Sequence, residues 1–164
     1  MAINILKSKL SIPRPIRSAI ERRRLIDSIE EANEANLILL IAPAGYGKTT
    51  VAQQILDRKK NALKSWYHLE PSDADPERFL KYLVEAMRCM LPKFNIDANV
   101  SSPRQLIGDI CFAIEQYQGP RAYLVLDNWE CVDNNPDIVT IPALLARSGR
   151  DRLTIIIADR KSVV

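Results

Sequence analysis

Gly45, Gly47, Lys48 and Thr49 stand together in the run Ala42-Pro43-Ala44-Gly45-Tyr46-Gly47-Lys48-Thr49-Thr50, and those residue types at that spacing suit one kind of chemistry. Glycines without a Cβ let successive backbone N–H groups converge on an anion. A lysine beside them reaches terminal phosphate oxygens, and the hydroxyl after it can ligate a hard divalent cation. The stretch therefore reads as a phosphate-binding loop, with Ala44, Gly45, Tyr46, Gly47, Lys48, Thr49 and Thr50 as the nucleotide contacts. Ala42 occupies the place of the first glycine of the strict pattern, so the string alone is a relaxed match. The bland alternative is a strand-to-helix turn that happens to contain Gly-Lys-Thr.

A second stretch could complete the site. Ala122-Tyr123-Leu124-Val125-Leu126-Asp127 is an apolar run that ends in a carboxylate. At the tip of a buried parallel strand such an Asp can face Mg²⁺. Thr49 and Asp127 are accordingly the expected metal pair. A third apolar run, Leu153 to Ala158, ends in Asp159-Arg160. Arg160 at that tip is a candidate sensor of a terminal phosphate; the alternative is a solvated Arg paired to Asp159. Asp127 and Arg160 are the only candidates for a catalytic part.

These residues work together only if particular elements carry them. The unbroken apolar run Leu37 to Ile41 predicts a buried strand before the loop, and Lys48 to about Lys60 predicts a helix after it. The loop motif requires both. Lys64 to Leu69 alternates and carries aromatics, which predicts a second strand. Asp75-Pro76 and Ser102-Pro103 each pair a good N-cap with proline at the first helical position. Apolar residues at helical spacing follow each: Phe79, Leu80, Leu83, Ala86, Met87 and Met90 in one, Leu106, Ile107, Ile110 and Ile114 in the other. A short helical stretch is predicted from Asn134 through Leu145. In a doubly wound sheet the strand tips meet at one carboxyl edge, which would bring Asp127 to the loop. The acids Glu70, Asp73 and Asp75 read as caps and turn formers. The lone His68 reads as packed or exposed near a strand end, since no second His could share a metal.

Residues 1–24 carry Lys7, Lys9, Arg14, Arg17, Arg22, Arg23 and Arg24 against the single acid Glu21. Pro13 and Pro15 keep the segment around Arg14 extended. A nucleic-acid arm, a lid over a bound nucleotide and a solvated charge run all fit that composition. From Ile16 to about Ala35 the spacing predicts a helix.

The whole chain sets bounds on these readings. Its 164 residues give room for one domain, and 47% hydrophobic with 26% charged residues is ordinary for a soluble globular protein. A net charge of +3 is too small to argue nucleic-acid binding. Three scattered cysteines without a CxxC argue against a disulfide framework or zinc site and fit a reducing cytoplasm. No stretch reaches the roughly 18 apolar residues of a membrane span. The expectation is a cytoplasmic protein without a membrane partner.

Several stretches together resemble one family. Lys9-Leu10-Ser11-Ile12-Pro13-Arg14-Pro15, Ile20-Glu21-Arg22-Arg23-Arg24-Leu25, the loop itself, Trp66-Tyr67-His68-Leu69-Glu70, Asp73 to Phe79 and Leu124 to Asp127 are similar, in order and spacing, to the N-terminal signature of MalT-like, large LuxR-type transcriptional regulators. These belong to the STAND class of signal-transduction ATPases. The resemblance implies an α/β P-loop NTPase three-layer sandwich with a mainly parallel sheet, binding ATP or ADP with Mg²⁺. It implies a division into a basic lid segment and helix over residues 1–36 and a nucleotide-binding core over 37–164. Pro13, Arg14 and Arg22 match the lid near the nucleotide, which favours the lid over the nucleic-acid arm. Asn128 stands where the family usually has a second acid, and Asp159 where it has Ser before Arg160. Slow or absent hydrolysis is the expectation, because an amide cannot accept a proton as a carboxylate can.

The family continues with a further strand that flanks the Leu37–Ile41 strand, then with further domains, a DNA-binding helix-turn-helix among them. By that resemblance the sheet here lacks its last strand, DNA contact would run through domains outside this chain, and the exposed edge invites self-association or a partner chain. A fragment, a short natural protein and a nucleotide-independent interaction module on a degenerate P-loop fold all stay open.

Overall fold

The computed structural model describes residues 3–32, 35–99 and 102–161. Four strands form one parallel sheet: β1 (Leu37–Ile41), β2 (Leu63–His68), β3 (Ala122–Asp127) and β4 (Leu153–Asp159), in the spatial order β1-β4-β3-β2. The helices are α1 (Arg23–Glu31), α2 (Lys48–Arg58), α3 (Pro76–Met90), α4 (Pro103–Gln116), α5 (Pro136–Val139) and α6 (Ile141–Gly149). Every residue of β3 and β4 is buried, as continuous apolar runs in the middle of a parallel sheet must be.

The two faces of the sheet have different cores. Side chains alternate along a strand, so one face takes Trp66, Tyr123, Val125 and Ile156, which pack against Val51, Ala52 and Ile55 of α2. The opposite face takes Tyr67, Leu124, Leu126, Ile155 and Ile157, which pack with Phe79, Leu83 and Met87 of α3 and with Ile110 and Leu145. Tyr67 is the hub of the larger core: its ring lies 5.7 Å from Phe79 and 5.5 Å from Tyr82. The caps form as the sequence dictates. Asp75 accepts from the Arg78 amide and Ser102 from the Gln105 amide, each with proline in the first turn.

Two expectations need correcting. The predicted helix from Ile16 starts only at Arg23, although its apolar spacing holds from there, with Ile26 fully buried. The reason lies in α2. Gln53 donates to the carbonyls of Pro13 and Arg14, and Gln54 both donates to the Ile20 carbonyl and accepts from the Arg22 amide. These side chains take the backbone groups of residues 13–22 as an adjacent strand would, leaving an extended strap along α2. The single stretch predicted from Asn134 is two helices that meet at Thr140.

Replacing Gln53 or Gln54 with alanine is expected to release the strap without unfolding the sheet. Each change removes hydrogen bonds with a net worth of about 1 kcal/mol, or roughly fivefold in local opening. Limited trypsinolysis at Arg17 should quicken by that factor, with hydrogen exchange in β3 unchanged.

A buried ion pair holds the start of the strap. Lys9, in a short 3-10 turn, is 3% exposed and reaches Asp73, which is fully buried, at 2.5 Å. Arg78 meets the other oxygen of Asp73 at 3.1 Å, and the Lys9 ammonium lies 4.4 Å from the ring centre of Tyr82. Asp73 also accepts from the Glu70 amide. The capping role expected of these acids is therefore present, but Asp73 is equally a buried anchor for a lysine that belonged, by sequence, to a basic run.

Candidate nucleotide site

β1 delivers the chain into the loop, and α2 begins at Lys48 directly after it. The strand-loop-helix order that the motif requires is therefore met. Gly45 and Gly47 have φ of 80° and 78°, a region that residues with a Cβ enter at a cost. At Gly45 a Cβ would meet nothing within 4 Å, so backbone conformation rather than crowding calls for glycine there. The backbone N–H groups from Gly45 to Thr49 have no acceptor among the described residues. Five successive donors at the positive end of an 11-residue helix are a donor set that fits phosphate oxygens. The Lys48 ammonium lies at the same place, donating to the carbonyls of Ala42 at 2.7 Å and Pro43 at 3.0 Å.

Asp127 comes to the loop as expected. Its side chain alternates with Leu126 and so leaves the sheet on the α2 face, where the Thr49 hydroxyl donates to its carboxylate at 3.2–3.3 Å. A hydroxyl and a carboxylate on adjoining elements fit the oxygen ligands that Mg²⁺ takes. Asn128 follows in a left-handed conformation with φ of 62°, and its amide donates to Asp127 at 3.0 Å.

His68 belongs to this group, and sequence reasoning missed it. It is the last residue of β2 and pairs in register with Asp127. One ring nitrogen lies 3.6 Å from Asp127 and the other 3.3 Å from the Asn128 side-chain amide. The signal was available: two strands of equal length in one parallel sheet end side by side, and both end in a polar residue.

The other candidates are placed differently. Pro13, Arg14 and Arg22 lie on the strap along α2, tied through their backbones to Gln53 and Gln54, one turn beyond the loop. Arg160 is exposed and forms no ion pair with Asp159; its amide donates to Glu130 at 3.1 Å. Asp159 continues the Ile155–Ile157 side of β4, away from Asp127, while its carbonyl accepts from the Ala42 amide at 3.3 Å.

Fold and loop together define an α/β domain of the P-loop NTPase class. Solved structures of the same fold include Cdc6p from Pyrobaculum aerophilum, at a TM-score of 0.63 and 14% identity over 98% of this chain and 44% of that one. Another is the Walker-type ATPase PABY2304 of Pyrococcus abyssi, at 0.59 and 16% over 89% of this chain and 47% of that one. More particularly, the chain is a MalT-like N-terminal P-loop domain. It is 32% identical over 162 residues to the HTH-type transcriptional regulator MalT of Vibrio campbellii, covering 94% of this chain. Its identity to MalT of Vibrio cholerae is 31% over 96% of the chain, and to that of Klebsiella pneumoniae 29% over 95%. The chain spans 18% of the length of these relatives. No family model matches it. Among the described residues no helix is long and apolar enough to cross a membrane.

Proposed function

We propose that this chain is the ATP- or ADP-binding switch domain of a MalT-like, STAND-type transcriptional regulator in the cytoplasm, and that it hydrolyses nucleotide slowly or not at all. The observation that carries the reading is the meeting of Lys48, Thr49 and Asp127 around a loop whose backbone N–H groups from Gly45 to Thr49 have no acceptor among the described residues. In it, the amides of residues 45–49 and Lys48 hold the phosphates, Thr49 and Asp127 hold Mg²⁺, and Ala44, Tyr46 and Thr50 complete the loop. The bound metal would neutralise phosphate charge. Residues 1–36 serve as the lid, with Pro13, Arg14 and Arg22 over the nucleotide and α1 behind them. Asn128 offers an amide where a base would be needed, which supports weak turnover. DNA contact belongs to the rest of the regulator.

Thermal unfolding with Mg²⁺ plus ATP, ADP or GTP tests the reading. A ligand at a hundred times its dissociation constant should stabilise by about 2.7 kcal/mol. The shift should be adenine-selective, and its Mg²⁺-dependent part should vanish in Asp127→Ala. Brisk turnover by the pure protein would contradict slow hydrolysis.

A second reading is favoured by the outer edge of β1, which has no strand partner among the described residues and leaves Leu39 56% and Ile41 50% exposed. A long apolar edge invites strand pairing. On this reading the domain is a nucleotide-independent module for self-association or a partner chain. Folded protein without any nucleotide shift would select it; a strict monomer at high concentration would count against it.

A further inference from the structure

The strand tips beside the phosphate loop carry a polar chain that the nucleotide reading leaves unassigned. His68 and Asp127 are register partners in adjacent parallel strands, and the Leu69 amide donates to the Asp127 carbonyl at 2.9 Å. Register partners leave a sheet on the same face, so strand pairing itself stands the imidazole beside the carboxylate. The His68 side chain is 45% exposed and that of Asp127 4%.

The donors and acceptors give this chain a direction. The Asn128 side-chain nitrogen, a donor with no lone pair to offer, lies 3.3 Å from His68 Nε2. Nε2 therefore accepts, and the proton of the neutral ring sits on Nδ1. Nδ1 is the nitrogen that faces Oδ2 of Asp127, at 3.6 Å, an electrostatic contact just beyond hydrogen-bond length. The two oxygens of Asp127 are not held alike. Oδ1 accepts the Asn128 amide at 3.0 Å, while the Thr49 hydroxyl spreads one proton over Oδ1 at 3.3 Å and Oδ2 at 3.2 Å. Half of a shared hydrogen bond holds Oδ2 weakly, and the ring N–H is the further donor placed to steady it. Asn128 suits this arrangement in two ways. Asparagine tolerates the left-handed backbone found there, and its side chain supplies a donor that a second acid would lack.

We propose that His68 is a positioning residue of the nucleotide–metal site: oriented by the Asn128 side chain, its Nδ1–H aligns the Asp127 carboxylate for the cation. This role rests on the reading of Asp127 as a Mg²⁺ residue. Donors behind a metal-binding side chain commonly carry about tenfold or more of the metal affinity.

Two measurements test it, the first without nucleotide. The chain has one histidine, so long-range ¹H–¹⁵N spectra report its ring nitrogens unambiguously. At about pH 8.5, well above the ordinary histidine range, the proton should be found on Nδ1. Asn128→Asp keeps a residue that tolerates the backbone but presents an acceptor, and should move the proton to Nε2. A parent protein with the proton on Nε2 would overturn the proposal. The second measurement is thermal unfolding with ATP over a Mg²⁺ titration. His68→Asn places an amide N–H where Nδ1–H stood and should keep the Mg²⁺ affinity within about threefold. His68→Gln, whose amide extends to the place of Nε2, and His68→Leu should weaken it about tenfold. The shift with ATP alone should be unchanged in all three variants. Full Mg²⁺ affinity in His68→Leu, or rescue by Gln in place of Asn, would overturn the alignment of Asp127 by Nδ1. A parent with no ATP shift would instead fail the nucleotide reading, and the position of the ring proton would still decide the contact.

Discussion

Asp73→Ala is expected to destabilise the chain by about 3–5 kcal/mol, the usual cost of removing one partner from a buried pair. The change strips three donors at once: the Lys9 ammonium, the Arg78 guanidinium and the Glu70 amide. Lys9 would then remain 3% exposed, with half-exposed Glu70 at 3.3 Å and the Tyr67 and Tyr82 rings for company. Exposed Glu70 compensates little. For a domain of this size, the loss corresponds to a fall in Tm on the order of 10 °C. Lys9→Met should cost less, because Arg78 still faces Asp73. The double variant Lys9→Met/Asp73→Ala should cost less than the two single changes added together, as coupled partners do. Urea unfolding of the four proteins measures this, and additive losses would show that Lys9 and Asp73 act separately.

Lys48→Ala is expected to abolish the nucleotide shift while leaving the free protein nearly as stable. In the free chain the ammonium holds only the carbonyls of Ala42 and Pro43, hydrogen bonds of modest net worth at a half-buried position. With nucleotide bound, the same ammonium would be the charge that reaches the terminal phosphates. The expected result is a Tm without ligand within a few degrees of the parent, and no gain where the parent gains about 2.7 kcal/mol at saturating Mg²⁺–ATP. A full ATP shift in this variant would remove the loop from the binding site.

Much of this molecule was legible because local chemistry and tertiary need agree. Asp75-Pro76 and Ser102-Pro103 announce their helices through caps that the fold then uses. The apolar runs of β3 and β4 announce burial on both faces, and the Asp127 tip follows from the sheet's polarity. What was not legible depends on partners distant in sequence. The spacing of Ile16 and Ile20 suits a helix, but Gln53 and Gln54 claim the backbone of that segment, and nothing near residue 16 encodes them. Lys9 looks like one cation in a basic run until Asp73, Arg78 and Tyr82 enclose it. His68 gains its place beside Asp127 from strand register, which a single strand cannot reveal. Asp159 reads as a solvated partner for Arg160, yet the alternation along β4 turns it inward and leaves its neighbour outside.

The strand order has a consequence for how the chain acquires its shape. Leu37 pairs with Ile155 and Leu63 with Ala122, so β1 skips its successor and pairs with β4, and even β2 meets its successor β3 only across some sixty residues. Pairing between segments so far apart must close long loops before any ladder forms, which makes assembly slow and exposes apolar strands meanwhile. During synthesis β1 emerges early yet waits for β4 before it can pair. The phosphate loop hangs from β1, and its Ala42 amide is fixed by the Asp159 carbonyl. Its geometry is therefore among the last to be set, and a competent loop reports that the whole sheet has closed.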